Sequence, residues 1–169
     1  MRLSDRLTLP DLRVGLSIAN RTFPMTTLKT FLDSNEQSII TIGPEMTLRD
    51  AAAMFVECYV GALPVMVEDE VRGIFTERDL ATHVARYKDL DSTIVGEVMS
   101  RDLIVAVDDD DITRAINVMV NGHVHHLPVF DENRKFVGIV SLRDLVQSAY
   151  AEDEEQIQYM NQYMYGPGM

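Results

Sequence analysis

Apolar residues fall into short runs and helical periodicities along this chain. Leu127–Phe130 and Phe136–Val140 are apolar runs of strand length, and the polar Asp131–Arg134 between them can turn the chain, which predicts a β-hairpin. Ser141 follows at once, with Asp144 three residues later, a spacing typical of a helix N-terminus. The pattern therefore predicts strand, turn, strand and helix in one continuous stretch.

The same stretch occurs earlier in the chain. Leu63–Val65 (L-P-V) matches Leu127–Val129, and Gly73–Leu80 (G-I-F-T-E-R-D-L) matches Gly138–Leu145 (G-I-V-S-L-R-D-L). One additional residue in the second hairpin accounts for the difference in spacing. The chain is therefore interpreted as a tandem repeat of one structural unit.

A strand and a helix precede each hairpin. Ile39–Ile42 and Leu103–Val107 have strand length, and helical spacing of apolar residues follows from Thr47 to about Tyr59 and again after the acidic run Asp108–Asp111. Each unit is thus predicted to be β-α-β-β-α, which gives an α/β fold of the α+β type. A single unit would bury too little apolar surface, so we expect two pseudo-symmetric repeats packed sheet to sheet.

The domain boundaries follow from the repeats. We predict an N-terminal arm or packed cap at residues 1–37, the first repeat at 38–93, the second at 94–150, and an acidic tail at 151–169. Thr27–Leu32 is predicted to form a short helix and Ile94–Met99 a helical turn. Met and Tyr residues recur at helical spacing in the tail, which favours a dimer contact or continued core packing over a helix that binds another partner.

Composition excludes several classes of function. The net charge of −12 disfavours a nucleic-acid partner, which requires a basic surface. No apolar run reaches membrane-spanning length, and the first ten residues lack a signal-peptide pattern. The single cysteine, Cys58, fits a reducing compartment and lies in an apolar helical pattern typical of core packing. We therefore expect a cytoplasmic protein without membrane contact.

The repeated motifs also carry a family resemblance. The L-P-V hairpin followed by Gly-hydrophobic-x-Ser/Thr-x-x-Asp resembles the cystathionine-β-synthase (CBS) domain, present as a tandem pair over Ser38–Tyr150. The resemblance implies a pseudo-symmetric module with clefts between the repeats. It further implies binding of adenosine-containing ligands such as AMP, ADP, ATP or S-adenosylmethionine, a role as a regulatory sensor, and homodimer formation.

The Ser/Thr-x-x-Asp motifs indicate how a cleft would hold a nucleoside. Thr76 and Ser141 place a hydroxyl where a strand ends and a helix begins, and Asp79 and Asp144 follow one helical turn later. A carboxylate beside a hydroxyl can accept hydrogen bonds from the two hydroxyls of a ribose. The same pattern is also a helix cap, and the two roles are compatible.

Other parts of the nucleotide need different chemistry. Arg78 and Arg143 would place guanidinium donors at helix N-termini, where a phosphate is favoured, although each could instead be solvated or pair with an acid such as Glu77. Strand residues facing the L-P-V strands would supply an apolar slot for adenine. The candidate nucleotide-binding residues are Ile40, Thr41, Ile42, Pro64, Thr76, Arg78, Asp79, Val105, His126, Pro128, Ser141, Arg143 and Asp144.

The two clefts should differ from each other. Thr41 corresponds to Val105, and Pro44 to Asp108, so a side-chain hydrogen bond available in the first cleft is missing in the second. The run Asp108–Asp111 could repel a polyphosphate, hold one through magnesium, or complement the dipole of the helix that follows, and we favour the last of these. We expect unequal ligand affinities, which equal affinities in a titration would contradict.

A histidine cluster raises the question of zinc. His123, His125 and His126 lie within four residues, but His125 and His126 would point to opposite faces of a strand, and no nearby cysteine completes a tetrahedral set. We therefore predict no metal site, and we place His126 in the cleft wall.

Two functions follow, with a third set aside. The first is a stand-alone sensor that binds an adenosine ligand, with or without magnesium, and transmits this to an unidentified regulated protein. The alternative is a constitutive dimerisation or protein-interaction module with degenerate clefts. An enzyme is not expected, because the chain has no Walker loop, no dinucleotide fingerprint and no plausible Ser-His-Asp arrangement.

Overall fold

A computed structural model describes residues 26–35, 39–86 and 89–151, and both hairpin units lie within these ranges. The predicted mixed α/β architecture with two similar units is confirmed. The expectations for residues 1–25 and for the tail from residue 152 onward lie outside the described residues. The elements are α1 (Leu28–Ser34), α2 (Leu48–Cys58), β1 (Ala62–Val67), β2 (Glu70–Thr76), α3 (Glu77–Arg86), α4 (Val95–Val98), β3 (Ala106–Val107), α5 (Ile112–Gly122), β4 (His126–Phe130), β5 (Phe136–Ser141) and α6 (residues 142–151).

Both predicted hairpins are present. β1 pairs antiparallel with β2, and β4 pairs antiparallel with β5 and parallel with β3. The partner of Gly73 is Val65, whereas the partner of Gly138 is Val129, so the second hairpin contains the one additional residue that the sequence predicted. It is taken up in the turn, where the backbone nitrogen of Arg134 donates to the carbonyl of Asp131 at 3.0 Å.

The strands predicted before α2 and α5 are shorter than expected. Ile42 forms a single parallel bridge with Val65, and β3 contains two residues. Proline explains the loss. The nitrogen of Ile42 donates to the carbonyl of Pro64 at 3.0 Å, and the next bond of a parallel ladder would come from the nitrogen of Pro64, which carries no hydrogen. Pro128 breaks the second ladder in the same way.

The predicted helix starts are confirmed by their caps. The Thr47 side chain accepts from the nitrogen of Asp50 at 3.1 Å, and the Asp111 side chain accepts from the nitrogen of Arg114 at 2.7 Å. Thr27 caps α1 in the same manner. None of the helices in the described part of the chain is long and apolar enough to cross a bilayer.

The two units exchange their leading helices. α4 precedes the second unit but packs on the first, where the nitrogen of Val95 donates to the carbonyl of Met46 at 2.8 Å. α1 precedes the first unit but packs on the second, where the nitrogen of Leu28 donates to the carbonyl of Asp110 at 2.9 Å. Residues 26–35 therefore pack on the second unit.

Two hydrophobic cores follow from this exchange. The first combines α2, β1 and β2 with Val95 and Met99 from the segment of α4. The second combines α5, β4 and β5 with Leu28 and Phe31 of α1. Leu28 and Val95 are fully buried, so each unit depends on a helix supplied from outside its own repeat. The exchange links the two units, because each one packs against a helix that precedes the other.

Candidate functional site

A cavity of about 440 Å³ lies between the two units, and its volume is typical of small-molecule sites. The first unit contributes the end of β2, which includes Ile74, and the start of α3, with Gly61 beside them. The second unit contributes the opposite wall. The lining residues are Gly61, Ile74, Thr76, Glu77, Arg78, Asp79, Ser100, Asp102, Leu103, Ile104, His123, Val124, His125, His126 and Pro128.

Thr76 and Asp79 form a reciprocal cap at the start of α3. The nitrogen of Asp79 donates to Oγ1 of Thr76 at 3.2 Å, while the nitrogen and the hydroxyl of Thr76 donate to Oδ2 of Asp79 at 2.9 and 2.7 Å. The second carboxylate oxygen, Oδ1, accepts a long bond of 3.4 Å from the Ser100 hydroxyl. Capping therefore uses one oxygen, and a ligand hydroxyl could replace Ser100 on the other.

Ser100 belongs to the chain that connects the units. It forms an antiparallel bridge with Ile74, with hydrogen bonds of 3.0 and 2.9 Å in the two directions. Because Ile74 and Ser100 both line the cavity, the connection between the units forms part of its wall.

Arg78 reaches across the cavity mouth. Its side chain is exposed, and Nη1 donates to the carbonyl of His123 at 3.5 Å. His123 is the left-handed residue that ends α5, with φ at 53°. The guanidinium thus lies against the carbonyl end of a helix, where positive charge is favourable. It links the units without an ion pair to Glu77.

His126 and Glu77 meet at Gly61. A Cβ atom placed on Gly61 would lie 3.1 Å from Cε1 of His126 and 3.3 Å from Oε2 of Glu77, so glycine leaves room for both side chains. Burial, and then repulsion from His125, lowers the pKa of His126 below its usual range, and Asp144 acts in the opposite direction. The imidazole is therefore neutral at neutral pH, and a neutral imidazole can donate one hydrogen bond and accept another.

The apolar wall is built from Ile104 and Pro128. A Cβ atom on Gly122 would lie 2.5 Å from Cδ1 of Ile104, so this glycine allows the isoleucine side chain to approach α5 closely. Because Pro128 has no N–H, it cannot donate the ladder bond that the carbonyl of Ile104 would otherwise receive. This wall combines an apolar side chain with a backbone acceptor, which suits a flat heterocycle.

The structure brings together five of the predicted residues: Thr76, Arg78, Asp79, His126 and Pro128. Leu103 and Ile104 line the cavity in place of their neighbour Val105. The remaining predicted residues are not part of its wall: Ile40, Thr41, Ile42, Pro64, Ser141, Arg143 and Asp144. Ile42 and Pro64 are buried in the first unit, while Thr41 is exposed.

The second Ser/Thr-x-x-Asp motif has the geometry of the first. The hydroxyl of Ser141 donates to Oδ2 of Asp144 at 2.6 Å, and the nitrogen of Asp144 donates to the Ser141 hydroxyl oxygen at 3.1 Å. Arg143 between them is exposed. A second cleft at this motif stays a prediction, and so do the ligand contacts predicted for Ile40, Thr41 and Pro64.

The acidic run before α5 has a structural role. Asp111 is the N-cap, and the Asp110 carboxylate is 8% exposed, accepts from the nitrogen of Val107 at 3.1 Å and pairs with Arg114 at 3.1 Å. These contacts agree with the favoured interpretation of the run as a complement to the helix. In the described ranges, no group of three or more His, Cys, Asp or Glu residues is arranged to hold a metal ion.

Sequence reasoning missed part of the wall. Ser100 and Asp102 follow a helical turn and carry no motif, because the exchange of α4 alone brings them to the cavity. Gly61 and Gly122 had a signal, since glycine between or at the end of regular elements often marks a close approach. The sequence indicates for Glu77 only a pairing with Arg78.

The chain belongs to the CBS domain family. The family model for the CBS domain matches it twice, at residues 35–86 and 95–150, so it contains a tandem pair of these domains. A curated relative, the protein MJ1232 of Methanocaldococcus jannaschii, is 33% identical over 115 residues, which cover 68% of this chain and 38% of the relative. The matches to two further archaeal relatives cover 66% and 58% of those proteins. Matches to curated enzymes cover only 21% to 22% of each enzyme.

Solved structures of CBS domain pairs share the fold. The pair from protein MJ0100, in complex with 5′-methylthioadenosine and S-adenosyl-L-methionine, is 26% identical with a TM-score of 0.67, and the match covers 76% of this chain and 99% of that one. CBSX2 in complex with AMP is 25% identical with a TM-score of 0.60, with coverage of 70% and 92%. CBS pairs similar to this one thus bind adenosine ligands.

Proposed function

We propose that this chain is a regulatory module that binds an adenosine-containing ligand in the cavity between its two CBS domains. The observation that carries the proposal is the joining of Thr76 and Asp79 of one domain to the apolar wall at Ile104 of the other. The complexes of MJ0100 and CBSX2 support the ligand class, which comprises AMP, ADP, ATP and S-adenosylmethionine.

Each part of the cavity suits one part of such a ligand. Oδ1 of Asp79 is available to a ribose hydroxyl because Oδ2 is held by Thr76. Ile104 offers an apolar surface to adenine, and the neutral imidazole of His126 adds a hydrogen-bonding group. We propose that these residues bind the ligand without catalysing a reaction.

Ligand binding would be transmitted through the connection between the domains. The Ser100 hydroxyl contacts Asp79, and the same residue holds Ile74 by two backbone hydrogen bonds. A ligand that displaces Ser100 from Asp79 would favour one arrangement of the connection, provided that it binds the two arrangements with different affinities. The regulated partner would bind one arrangement of the connection in preference to the other.

We also propose that the protein is a cytoplasmic homodimer. The side chains of Val56, Tyr59 and Val120 are 73%, 95% and 54% exposed, and Val56 and Val120 occupy equivalent positions on α2 and α5. Exposed apolar residues of this kind favour association. Sedimentation of Val56→Glu beside the wild type tests the proposal, and an unchanged oligomer would contradict a dimer through this surface.

Thermal shift and calorimetry with AMP, ADP, ATP, each with and without magnesium, and S-adenosylmethionine test the function. A ligand that binds the folded state raises the melting temperature by mass action. Asp79→Ala should abolish the response assigned to the cavity, while Asp144→Ala should leave that response in place. A folded protein that responds to none of these ligands would refute the proposal and favour the constitutive interaction module.

A further inference from the structure

We infer that the cavity at Asp79 selects adenosine ligands whose 5′ substituent is neutral or cationic, and discriminates against 5′-phosphates. The inference rests on the proposed function and narrows its ligand class. It follows from the charges and helix ends that surround the cavity.

The charged side chains of the wall are mostly acidic. Glu77, Asp79 and Asp102 face one basic residue, Arg78, which leaves a formal charge of −2 when the histidines are neutral. A cleft lined mainly by one sign of charge between low-dielectric walls concentrates its field on the ligand. A dianionic phosphate would enter against this field, whereas a sulfonium or ammonium group would enter with it.

The one guanidinium of the wall makes a long contact with the end of α5. Nη1 of Arg78 lies 3.5 Å from the carbonyl of His123, at the end of α5. The C-terminal end of a helix carries partial negative charge, and His123, Val124 and His125 line the cavity at this end. Arg78 therefore partly offsets the negative charge of the α5 terminus, and this reduces the net positive charge that it offers to a phosphate.

His126 adds no positive charge to the wall. Burial lowers the pKa of His126, so this residue contributes a neutral ring to the wall at neutral pH. The start of α3, which would otherwise attract an anion, is capped by Thr76 and Asp79 of the chain itself.

The other domain provides a comparison within the same chain. Glu77 occupies the position of Leu142 in the second motif, where the spacing from Ser141 to Asp144 is otherwise the same. The negative charge of Glu77 is therefore specific to this cavity. A site at the second motif would lack it and accept a phosphate more readily.

Calorimetry of the full chain with four probes tests the inference. The probes are 5′-methylthioadenosine, S-adenosylmethionine, AMP and ATP, without magnesium. They are titrated into the Ser141→Ala variant, which alters the second motif and leaves the charge of Asp144 near His126 in place. We expect the two phosphate-free ligands to bind at least about tenfold more tightly than AMP, with ATP weaker still. Raising the salt concentration from about 50 to about 500 mM screens the charges of the wall and should therefore reduce the ratio of the affinity for 5′-methylthioadenosine to the affinity for AMP.

Charge variants identify the cause. Glu77→Gln should reduce the preference for 5′-methylthioadenosine over AMP by about threefold, a modest value because Glu77 is exposed to solvent. Glu77→Leu, the residue of the second motif, should do the same. Glu132→Gln removes an equal charge from the exposed β4–β5 turn, away from the cavity, and should leave the ratio unchanged.

The outcomes separate this inference from the proposed function. AMP or ATP binding as tightly as 5′-methylthioadenosine at low salt would overturn the selectivity and leave the function standing. Equal effects of Glu77→Gln and Glu132→Gln would likewise overturn it. Binding of none of the probes would overturn both.

Discussion

Gly73 and Gly138 occupy equivalent positions in the two hairpins but have different surroundings, and their replacement by alanine should have unequal effects. A Cβ atom on Gly73 would lie 2.6 Å from Sδ of Met99 and 2.9 Å from the carbonyl oxygen of Ser100. The methionine can rotate, but the carbonyl is fixed by the bridge between Ile74 and Ser100. Relief therefore requires a shift of the connection between the domains.

In the second hairpin, the Cβ atom of Gly138→Ala would be close only to side-chain atoms. A Cβ atom on Gly138 would lie 3.0 Å from Cδ2 of Leu32, which can move by a rotation. Overpacking against fixed atoms costs about 1–3 kcal/mol, and replacing glycine by alanine recovers about 0.4–1 kcal/mol from the unfolded state. We therefore expect Gly73→Ala to lose about 1–2 kcal/mol of unfolding free energy and Gly138→Ala to stay within about 0.5 kcal/mol of the wild type.

Urea unfolding followed by circular dichroism measures both values, and ligand calorimetry adds a functional reading. Gly73→Ala should also weaken binding in the cavity, because Ser100 forms part of its wall. Equal destabilisation by the two substitutions, or a larger loss in Gly138→Ala, would refute the reasoning.

Three further predictions concern stability and pH. Leu28→Ala should reduce the unfolding free energy by about 2–4 kcal/mol, because Leu28 of α1 is buried in the core of the second domain. Lys29→Ala, at an exposed site of the same helix, should have little effect. Equal losses of unfolding free energy in the two variants would contradict the exchange of helices. Thr47→Ala should cost about 1 kcal/mol through the lost cap of α2, and an unchanged urea midpoint would exclude that role. The pKa of His126 is lowered on folding, so its contribution to stability is present above the ordinary histidine pKa and is lost as the pH falls below it. The unfolding free energy of the wild type should therefore fall between about pH 7.5 and about pH 5.5 more steeply than that of His126→Gln. Parallel curves of unfolding free energy against pH would show that His126 is not the cause.

Local signals made most of the fold predictable. The hairpins, the start of α2 at Thr47 and the added residue of the second turn all depend on neighbours close in sequence. The short strands before α2 and α5 were overestimated because apolar composition does not reveal which backbone groups lack a partner. The prolines at 64 and 128 carried that information, since each removes one donor from the parallel ladder.

The exchange of α1 and α4 could not be predicted. The apolar residues of a short helix look the same whichever domain they pack against, so Leu28 gave no indication that it belongs to the second core. The same reason explains which residues of the site could be predicted. Thr76 and Asp79 were found from their spacing, whereas Ser100 and Asp102 reach the cavity only through the tertiary arrangement.

Nitrogen–proton correlation spectra of the full chain, recorded during titration with 5′-methylthioadenosine, test the central claim most directly. We predict that the amide shifts will concentrate at Thr76–Asp79, Ser100–Ile104 and Val124–His126, on both sides of the cavity, and that Asp79→Ala will abolish them. Shifts confined to one domain, or clustered away from the cavity, would contradict a ligand site between the two CBS domains.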